Sequence, residues 1–317
     1  MEVGDVVPQG IGGRYVGDES AVVRIASAAG DGWRAQPESQ DPPVAAESAA
    51  EQQFWQELRR STQSRIGLGR CGDALPTARV LEFRAAHAAA RDAVHTPLNL
   101  TDLTSRVAAL GLGDPVHVRS AARTRAEYLR RPDLGRTPGE SATLATGPNQ
   151  QPFEIAEGAV PYSGAEIGFV LADGLSPRAL ADHGVQTSAA LIAELAPHYS
   201  LAPPVIATQA RVALGDHIAA ALGVHTVIVL IGERPGLSVA DSLGIYLTHR
   251  PHPGRTDADR NCISNIHPPD GLTYTRAAKV AAALVTGAHR LGRSGVDLKD
   301  TSRAALESQE GFIVDRI

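Results

Sequence analysis

The chain is 317 residues long, carries a formal net charge of −5 and is 43% hydrophobic, which is enough apolar material for a sizeable core. Its acidic balance, with an isoelectric point near 6.1, argues against binding to a phosphate backbone, so we expect no nucleic-acid partner. No run approaches the roughly 18 consecutive apolar residues of a membrane span, so we expect no membrane contact.

The chain has only two cysteines, Cys71 and Cys262, and they lie far apart in the sequence. They supply neither a disulfide framework nor a CxxC metal pair, which favours a reducing compartment. The amino-terminal residues lack a basic region followed by an apolar segment, so no secretion signal is expected. The sequence therefore predicts a cytoplasmic protein without a metal site of its own.

The first 136 residues divide into an extension and a helical arm. Residues 1–53 are rich in Gly, Ala, Glu, Ser and Pro, and the run QPESQDPP predicts a disordered or low-complexity extension. Residues 54–136 are mainly helical in pattern, and a long Ala-rich helix is predicted to begin near Pro76 and to stop before Pro97. A short strand-like stretch at 116–118 interrupts this arm.

A glycine-rich loop in the arm, Gly67 to Gly72, has the spacing GxGxxG that is typical of dinucleotide-binding turns. Such a turn should follow a strand and open a helix. Here the loop follows a predicted helix, and Pro76 delays any helix after it. The loop therefore supports only an alternative hypothesis, a free-standing nucleotide-binding oxidoreductase of the Rossmann type.

Six arginines crowd the end of the helical arm. They are Arg119, Arg123, Arg125, Arg130, Arg131 and Arg136. Such a cluster fits a solvated helix face, and it fits equally well an arginine-rich contact with a partner protein. Both interpretations stay open.

Prolines and glycines between residues 137 and 166 predict a flexible loop insertion. In residues 167–317, apolar strands alternate with helices, and Ser176 is predicted as the N-cap of the first helix, with Pro177 at its first position. Further strands are predicted at 205–207, 227–231, 244–247 and 263–266. This alternation favours an α/β fold with a Rossmann-like, mainly parallel sheet and helices on both faces.

Polar residues follow two of these strands, and ligands of open α/β sheets bind just outside the carboxyl ends of strands. Arg211 and Val212 come after the strand that begins at residue 205. The Arg211 guanidinium could contact a phosphate, a carbonyl or an amide-bearing ligand, or it could pair with Asp216 at the next helix start.

Glu233 comes directly after the strand at 227–231 and precedes a Pro-Gly turn that would fix its direction. At a strand end its carboxylate could accept hydrogen bonds from a ligand's amides or hydroxyls. The alternative is a solvated turn in which Glu233 pairs with Arg234 or Arg260.

Cys262 begins the last predicted strand, and His267 follows five residues later. A Cys-His nucleophile needs the two side chains together, but residues an odd number apart on a strand point to opposite faces. We expect Cys262, as a small soft residue, to pack against the edge of a large ligand instead. The acidic pair Asp257 and Asp259 has no metal-ligand spacing and predicts a solvated loop.

Several of these stretches together resemble the small subunit of ethanolamine ammonia-lyase. The motifs follow the family's order and approximate spacing from about Phe54 to Asp300. They are LRRST, YLRRPDLGR, ADGLS, GERPGL, ADSLG and TDADRNCISNI.

The resemblance implies a lyase that converts ethanolamine to acetaldehyde and ammonia with adenosylcobalamin as its cofactor. It implies a hetero-oligomer with a TIM-barrel large subunit that carries the catalytic residues, so none is assigned to this chain. The residues that it implies at the cobalamin are Arg211, Val212, Glu233 and Cys262. Some members enter bacterial microcompartments through amino-terminal segments, although residues 1–53 show no clear signal of this kind.

Overall fold

The computed structural model describes residues 49–139, 142–144, 153–155 and 160–300. Within these ranges the chain forms seven α-helices and eight β-strands. The helices are α1 Ala49–Arg60, α2 Thr77–His95, α3 Leu100–Ala108, α4 Arg125–Arg130, α5 Pro177–Leu195, α6 Leu214–Leu222 and α7 Tyr274–Leu291. The strands are β1 Val116–Arg119, β2 Ala142–Leu144, β3 Phe153–Ile155, β4 Ile167–Ala172, β5 Val205–Thr208, β6 Thr226–Gly232, β7 Leu243–His249 and β8 Asn261–Ile266.

Two predicted stretches fall largely outside the described residues. Of the extension at 1–53, only residues from 49 onward are described, and of the loop at 137–166 the structure gives the short antiparallel pair β2 and β3 and both ends. The disorder and flexibility assigned to these stretches therefore stay predictions. The main sheet lies in the compact unit that begins at Phe54.

The main sheet has six strands in the order β1-β5-β4-β6-β7-β8. Strands β1, β5, β4 and β6 are parallel, whereas β7 and β8 each run antiparallel to the strand before them in this order. The α/β prediction is confirmed. The mainly parallel, Rossmann-like sheet is not confirmed, because the sheet is mixed.

The connections explain the change of direction. A parallel neighbour requires a crossover, usually through a helix, whereas an antiparallel neighbour can follow a simple loop. Helix α5 lies between β4 and β5 in the chain and α6 lies between β5 and β6, but residues 233–242 and 250–260 contain no α-helix. The sequence prediction was wrong here because it placed the strands near residues 244 and 263 in the same strand-helix alternation.

Both faces of the sheet are covered, as predicted. Every residue of β4 is buried, and its side chains alternate between two apolar cores. Phe169 and Leu171 pack into the core that includes residues of α5 and α7, whereas Val170 and Ala172 pack into the core that includes residues of α6. Full burial of a large apolar side chain stabilises a fold by about 1.5 to 3 kcal/mol, so β4 contributes to the stability of both cores.

The turn after β4 leads into helix α5 and brings the chain close to β6. Ser176 caps the helix by accepting a hydrogen bond from the Ala179 amide, and Pro177 occupies its first turn, as predicted. Gly174 has φ +57°, and a Cβ atom there would collide with the carbonyl oxygen of Gly232. Glycine is therefore required where the ends of β4 and β6 meet.

The long helix predicted within the arm matches its expected boundaries closely. Helix α2 begins at Thr77 after Pro76 and ends at His95, two residues before Pro97. Strand β1 lies within the same predicted arm, yet it forms the edge of the main sheet through parallel pairing with β5. None of the helices in the described ranges is long and apolar enough to cross a membrane.

Candidate functional site

A pocket of about 270 Å³ lies at the carboxyl ends of β5 and β6. Its lining includes three of the four residues singled out in the sequence, Arg211, Val212 and Glu233. The remaining lining residues are Tyr128, Leu175, Ile231, Gly232, Arg234 and Tyr246. Residues from five separate stretches of the chain are therefore brought to one place, although their role in binding a ligand stays a prediction.

The side chain of Arg211 is held in place by its neighbours but has one N–H donor without an acceptor among the described residues. Its guanidinium carbon lies 4.5 Å from the ring centroid of Tyr128, a cation–π contact, and its backbone N–H donates to the Gly135 carbonyl at 2.8 Å. The Arg211 Nε atom is buried and makes no hydrogen bond to any described residue. A buried donor without an acceptor is unfavourable, so this N–H suits a ligand acceptor.

The alternative pairing of Arg211 with Asp216 is not present. Asp216 instead accepts two hydrogen bonds from Arg260, at 2.8 and 2.7 Å, and both side chains are about 1% exposed. Both oxygens of Asp216 are therefore bound to Arg260, and the Arg211–Asp216 pair does not form.

Asp173 holds the loop that carries Arg211. At the end of β4, its carboxylate accepts hydrogen bonds from the backbone amides of Gln209 and Ala210 at 2.8 and 2.9 Å. Burial raises the pKa of Asp173, and these amides and the Arg125 guanidinium, 3.6 Å away, oppose that shift. Gln209 has φ +52°, so the two amide contacts also stabilise an uncommon backbone conformation.

Glu233 is fixed by neutral partners and forms no ion pair with any described residue. Its Oε2 atom accepts a hydrogen bond from the Ser242 hydroxyl at 2.6 Å and a longer one from the Asn265 amide at 3.3 Å. The Oε1 atom accepts no hydrogen bond from the described residues. The alternative in which Glu233 pairs with Arg234 or Arg260 is therefore wrong, and one carboxylate oxygen stays available as an acceptor.

Gly244 provides the space for this carboxylate. A Cβ atom at position 244 would lie 2.8 Å from Oε1 of Glu233, closer than carbon and oxygen normally approach without bonding. The absence of a side chain at the start of β7 therefore lets Glu233 lie against the strand.

Cys262 lies beside the pocket through its contact with Tyr246. The two residues face each other across the β7–β8 pair, and Tyr246 is itself a lining residue of the pocket. Burial raises the pKa of Tyr246, so its hydroxyl stays protonated at neutral pH. Cys262 keeps solvent exposure next to a pocket-lining ring, a placement that suits contact with the outer edge of a ligand.

The geometry does not support Cys262 as a nucleophile. Partial desolvation raises the pKa of its thiol, whereas a reactive cysteine requires a lowered one. His267 does not meet it, because the His267 Nε2 atom lies 2.7 Å from the Asn265 side-chain oxygen instead.

The Gly67 loop and the Asp257–Asp259 pair form neither a nucleotide site nor a metal site among the described residues. The Gly67 loop follows helix α1 and precedes α2, so the strand that a dinucleotide fingerprint requires is missing before it. Asp259 accepts hydrogen bonds from Thr256 in a short 3₁₀ turn, and no cluster of three or more potential metal ligands occurs among the described residues.

The arginine cluster separates into one inward residue and five exposed ones. Arg125 donates to the carbonyls of Val94 and Gly174, both at 2.8 Å, and its guanidinium also lies over the Tyr128 ring. The five exposed residues are Arg119, Arg123, Arg130, Arg131 and Arg136. Both interpretations of those five stay open.

Four residues that shape the pocket were not singled out from the sequence, namely Tyr128, Asp173, Ser242 and Tyr246. Asp173 could have been found, because a carboxylate directly after a buried strand and before glycine lies where ligands bind. The other three could not, since Tyr128 lies far away in the sequence and the contacts of Ser242 and Tyr246 depend on the antiparallel direction of β7.

Comparison with known proteins gives one consistent result. The sequence model of the ethanolamine ammonia-lyase light chain matches residues 52–299. A protein of Rhodococcus erythropolis described as ethanolamine ammonia-lyase small subunit is 65% identical over 263 residues, covering 83% of this chain and 96% of that protein.

More distant relatives carry the same description. The protein of Azotobacter vinelandii is 45% identical over 260 residues, covering 81% of this chain and 92% of its own length. The protein of Rhodopseudomonas palustris is 46% identical over 259 residues, covering 80% of this chain and 94% of its own length. The similarity therefore spans the sheet, the helical arm and the whole pocket.

Proposed function

The chain belongs to the ethanolamine ammonia-lyase light chain family, and on that premise we propose that it acts as the small subunit of an adenosylcobalamin-dependent ethanolamine ammonia-lyase. The enzyme would convert ethanolamine to acetaldehyde and ammonia. A small subunit implies a large one, and we propose a hetero-oligomer in which a TIM-barrel large subunit holds the substrate and the catalytic residues. The small subunit would cover one side of the cofactor, and we assign no proton-transfer residue to it.

The observation that carries this proposal is the convergence of one unused donor and one unused acceptor in the same pocket. Arg211 Nε is buried without a partner, and Glu233 Oε1 accepts no hydrogen bond from the described residues. A primary carboxamide offers one carbonyl oxygen and two N–H donors, so it complements both groups at once. Cobalamin carries such carboxamides on the rim of its corrin ring.

The size of the pocket supports a peripheral contact. Its volume of about 270 Å³ lies below the range of roughly 300 to 1,000 Å³ that encloses a drug-sized ligand. It therefore suits a side group of a large cofactor whose remaining surface is covered by another polypeptide. Val212 and the ring of Tyr246 supply apolar surface beside the polar pair.

When bound, adenosylcobalamin would supply radical chemistry through homolysis of its cobalt–carbon bond. The residues of this chain would bind and orient it. Arg211 would donate a hydrogen bond, Glu233 would accept one, and Cys262 and Val212 would pack against the rim. Ser242 would fix Glu233, and Tyr128 would fix Arg211.

The alternative of a nucleotide-binding oxidoreductase gains no support. It rests on the Gly67 loop, which lacks the preceding strand. No second observation in the described residues favours nucleotide binding.

The test is co-expression with the large subunit, followed by titration of the purified complex with adenosylcobalamin and measurement of its visible spectrum. We expect Arg211→Met and Glu233→Gln each to weaken cofactor binding about ten- to hundredfold, because each removes a charge-assisted hydrogen bond worth about 1.5 to 3 kcal/mol. Asp297→Asn is a matched control, since this exposed carboxylate pairs only with the exposed Arg293, 3.2 Å away, in the described residues.

Two outcomes would contradict the proposal. Cofactor affinity that is unchanged in both pocket variants would remove Arg211 and Glu233 from the binding site. Ethanolamine deamination by this chain without the large subunit would contradict the division of labour between the subunits.

A further inference from the structure

A second cavity, of about 230 Å³, lies apart from the pocket of Arg211 and Glu233 and shares no lining residue with it. It forms where α5, the loop before β7 and the segment after β8 come together. Its ionisable lining residues are His183, Asp241, His267 and Asp270, and neither lysine nor arginine is among the residues that line it. The cavity is therefore rich in hydrogen-bond acceptors and poor in cations.

His183, which lines this cavity, has one ring nitrogen without a hydrogen-bond partner in the described residues. The residue is 8% exposed, and its Nδ1 atom lies 2.8 Å from the Tyr274 hydroxyl oxygen. Its Nε2 atom is buried and has no hydrogen-bond partner in the described residues. Burial lowers the pKa of His183, so the ring is neutral at pH 7. Because the Tyr274 hydroxyl can accept a hydrogen bond as well as donate one, the ring can take the tautomer in which Nδ1–H donates to Tyr274 and Nε2 is an acceptor.

Asp241 lies opposite this nitrogen. Its Oδ2 atom is 3.9 Å from His183 Nε2, too far for a direct hydrogen bond but close enough for both atoms to contact one bound donor. The nearest charged nitrogen belongs to Arg178, which is half-exposed and lies 3.8 Å from the same oxygen. This contact is a long ion pair without a hydrogen bond, and Asp241 accepts no hydrogen bond from the described residues, so its carboxylate can still accept hydrogen bonds from a ligand.

The ligand that complements these groups is a compact cation with several N–H donors. A primary ammonium has three such donors and fits a space of this size. A metal ion fits poorly, because no group of three or more potential ligands occurs in the described residues. The other imidazole, His267, already contacts Asn265 through Nε2 and adds no further acceptor at that atom.

We propose that this cavity binds a primary ammonium group, which donates hydrogen bonds to the Asp241 carboxylate and to Nε2 of His183, with Asp270 adding negative charge at the rim. The ammonium comes either from a free small amine or from a lysine side chain of a partner subunit. The proposal does not depend on cobalamin binding by the other pocket.

The probe is methylammonium, added to the purified full-length chain while the ring nitrogen resonances of its histidines are followed by NMR. We expect saturable shifts at His183, with binding weakened roughly tenfold or more by Asp241→Asn, because the ion pair is lost. Asp297→Asn is the matched control, since this exposed carboxylate pairs with Arg293 and does not line the cavity. This control should change the affinity less than twofold.

The variant His183→Gln and the cation tetramethylammonium test the two halves of the proposed contact, the His183 acceptor and the N–H donors of the ligand. His183→Gln should also weaken binding, and its thermal unfolding shows whether the loss of the Tyr274 contact has affected the fold. Tetramethylammonium, which has the same charge but no N–H donor, should not bind.

The source of the ammonium is decided in the complex with the large subunit. Methylammonium binding that persists there indicates a free amine. Binding that disappears there, together with weaker subunit association in Asp241→Asn, indicates a partner lysine. The proposal is overturned if methylammonium does not bind the wild-type chain, if Asp241→Asn and His183→Gln leave its affinity unchanged, or if tetramethylammonium binds equally well.

Discussion

Arg260 and Asp216 form a buried ion pair with two parallel hydrogen bonds, from Nη1 to Oδ1 at 2.8 Å and from Nη2 to Oδ2 at 2.7 Å. The pair joins the residue before β8 to the first turn of α6. Arg260 also donates to the Thr248 hydroxyl at 2.9 Å. The antiparallel edge of the sheet is thereby tied to a helix that packs on its parallel part.

Breaking this pair from one side should destabilise the protein strongly. Asp216→Ala or Arg260→Met leaves the remaining charge buried without its partner, which costs about 3 to 5 kcal/mol. The double variant should lose less than the sum of the two single losses, since no unpaired charge remains. Urea unfolding gives the free energy of unfolding of all three variants. A loss below about 1 kcal/mol in either single variant would show that water solvates the remaining charge.

Tyr128 should act on the proposed cofactor pocket through Arg211. Tyr128→Phe keeps the ring under the guanidinium but removes the hydroxyl that donates to the Ala210 carbonyl at 3.0 Å, so we expect a stability loss of about 1 to 2 kcal/mol and nearly unchanged cofactor affinity. Tyr128→Leu also removes the ring, worth about 0.5 to 2 kcal/mol to the cation, and should weaken the affinity. Titration of the complex with cobalamin compares them, and equal affinities would show that the ring does not position Arg211.

Gly244→Ala should disturb Glu233 without changing any charge. The added Cβ would lie 2.8 Å from Oε1, so the carboxylate must move, and we expect weaker cofactor binding by the complex. Gly168→Ala is the control, because it also adds a crowded Cβ to a strand, 3.1 Å from Val224, but at the amino end of β4. If both variants alter the affinity equally, the effect comes from the sheet and not from Glu233.

His249 should make stability depend on pH. Burial lowers its pKa to about 4, from 6.5 in the unfolded chain. Because the unfolded chain binds this proton more readily, stability should fall as the pH drops from about 6.5 towards 4 and then stay level. Allowing for solvent screening, we expect this group to contribute about 1 to 2 kcal/mol of that loss.

The variant His249→Asn should reduce this dependence. Its side-chain oxygen can replace Nδ1, which lies 2.9 Å from the Thr226 hydroxyl oxygen. Urea unfolding at several pH values measures the change, and an identical slope in wild type and variant would assign the effect to other histidines.

Cys262 should be shielded by the cofactor. In the complex, cobalamin should slow alkylation of this thiol, because we expect the corrin rim to cover it. Cys71, which is also exposed, is the internal control. Mass spectrometry after iodoacetamide treatment follows both residues, and a Cys262 rate that does not respond to cobalamin would exclude it from the contact surface.

The sequence predicted local features well because their causes are local. Pro76 and Pro97 bracket α2, and Ser176 with Pro177 starts α5, since caps and proline restrict the backbone within a few residues. The strands near residues 205 and 227 were found because continuous apolar runs indicate burial on both faces.

Sheet direction and the second half of the pocket could not be predicted in the same way. The direction of β7 depends on whether the segment after Glu233 crosses over the sheet, and its Pro, Gly and Ser residues permit either path. The contact of Ser242 with Glu233 and the stacking of Tyr128 on Arg211 follow from tertiary packing. No periodicity or motif spacing records such contacts.

Because β7 and β8 run antiparallel at one edge of the sheet, the position of the Glu233 carboxylate depends on the stability of their pairing. Ser242 precedes β7 and reaches Glu233 when β7 is paired with β6, whereas Asn265 lies near the end of β8 and reaches Glu233 when β8 is paired with β7. Transient opening of this edge would release the carboxylate while the parallel strands remain folded. A ligand that needs Glu233 in place should therefore slow amide hydrogen exchange in β7 and β8 more than in β1 and β5.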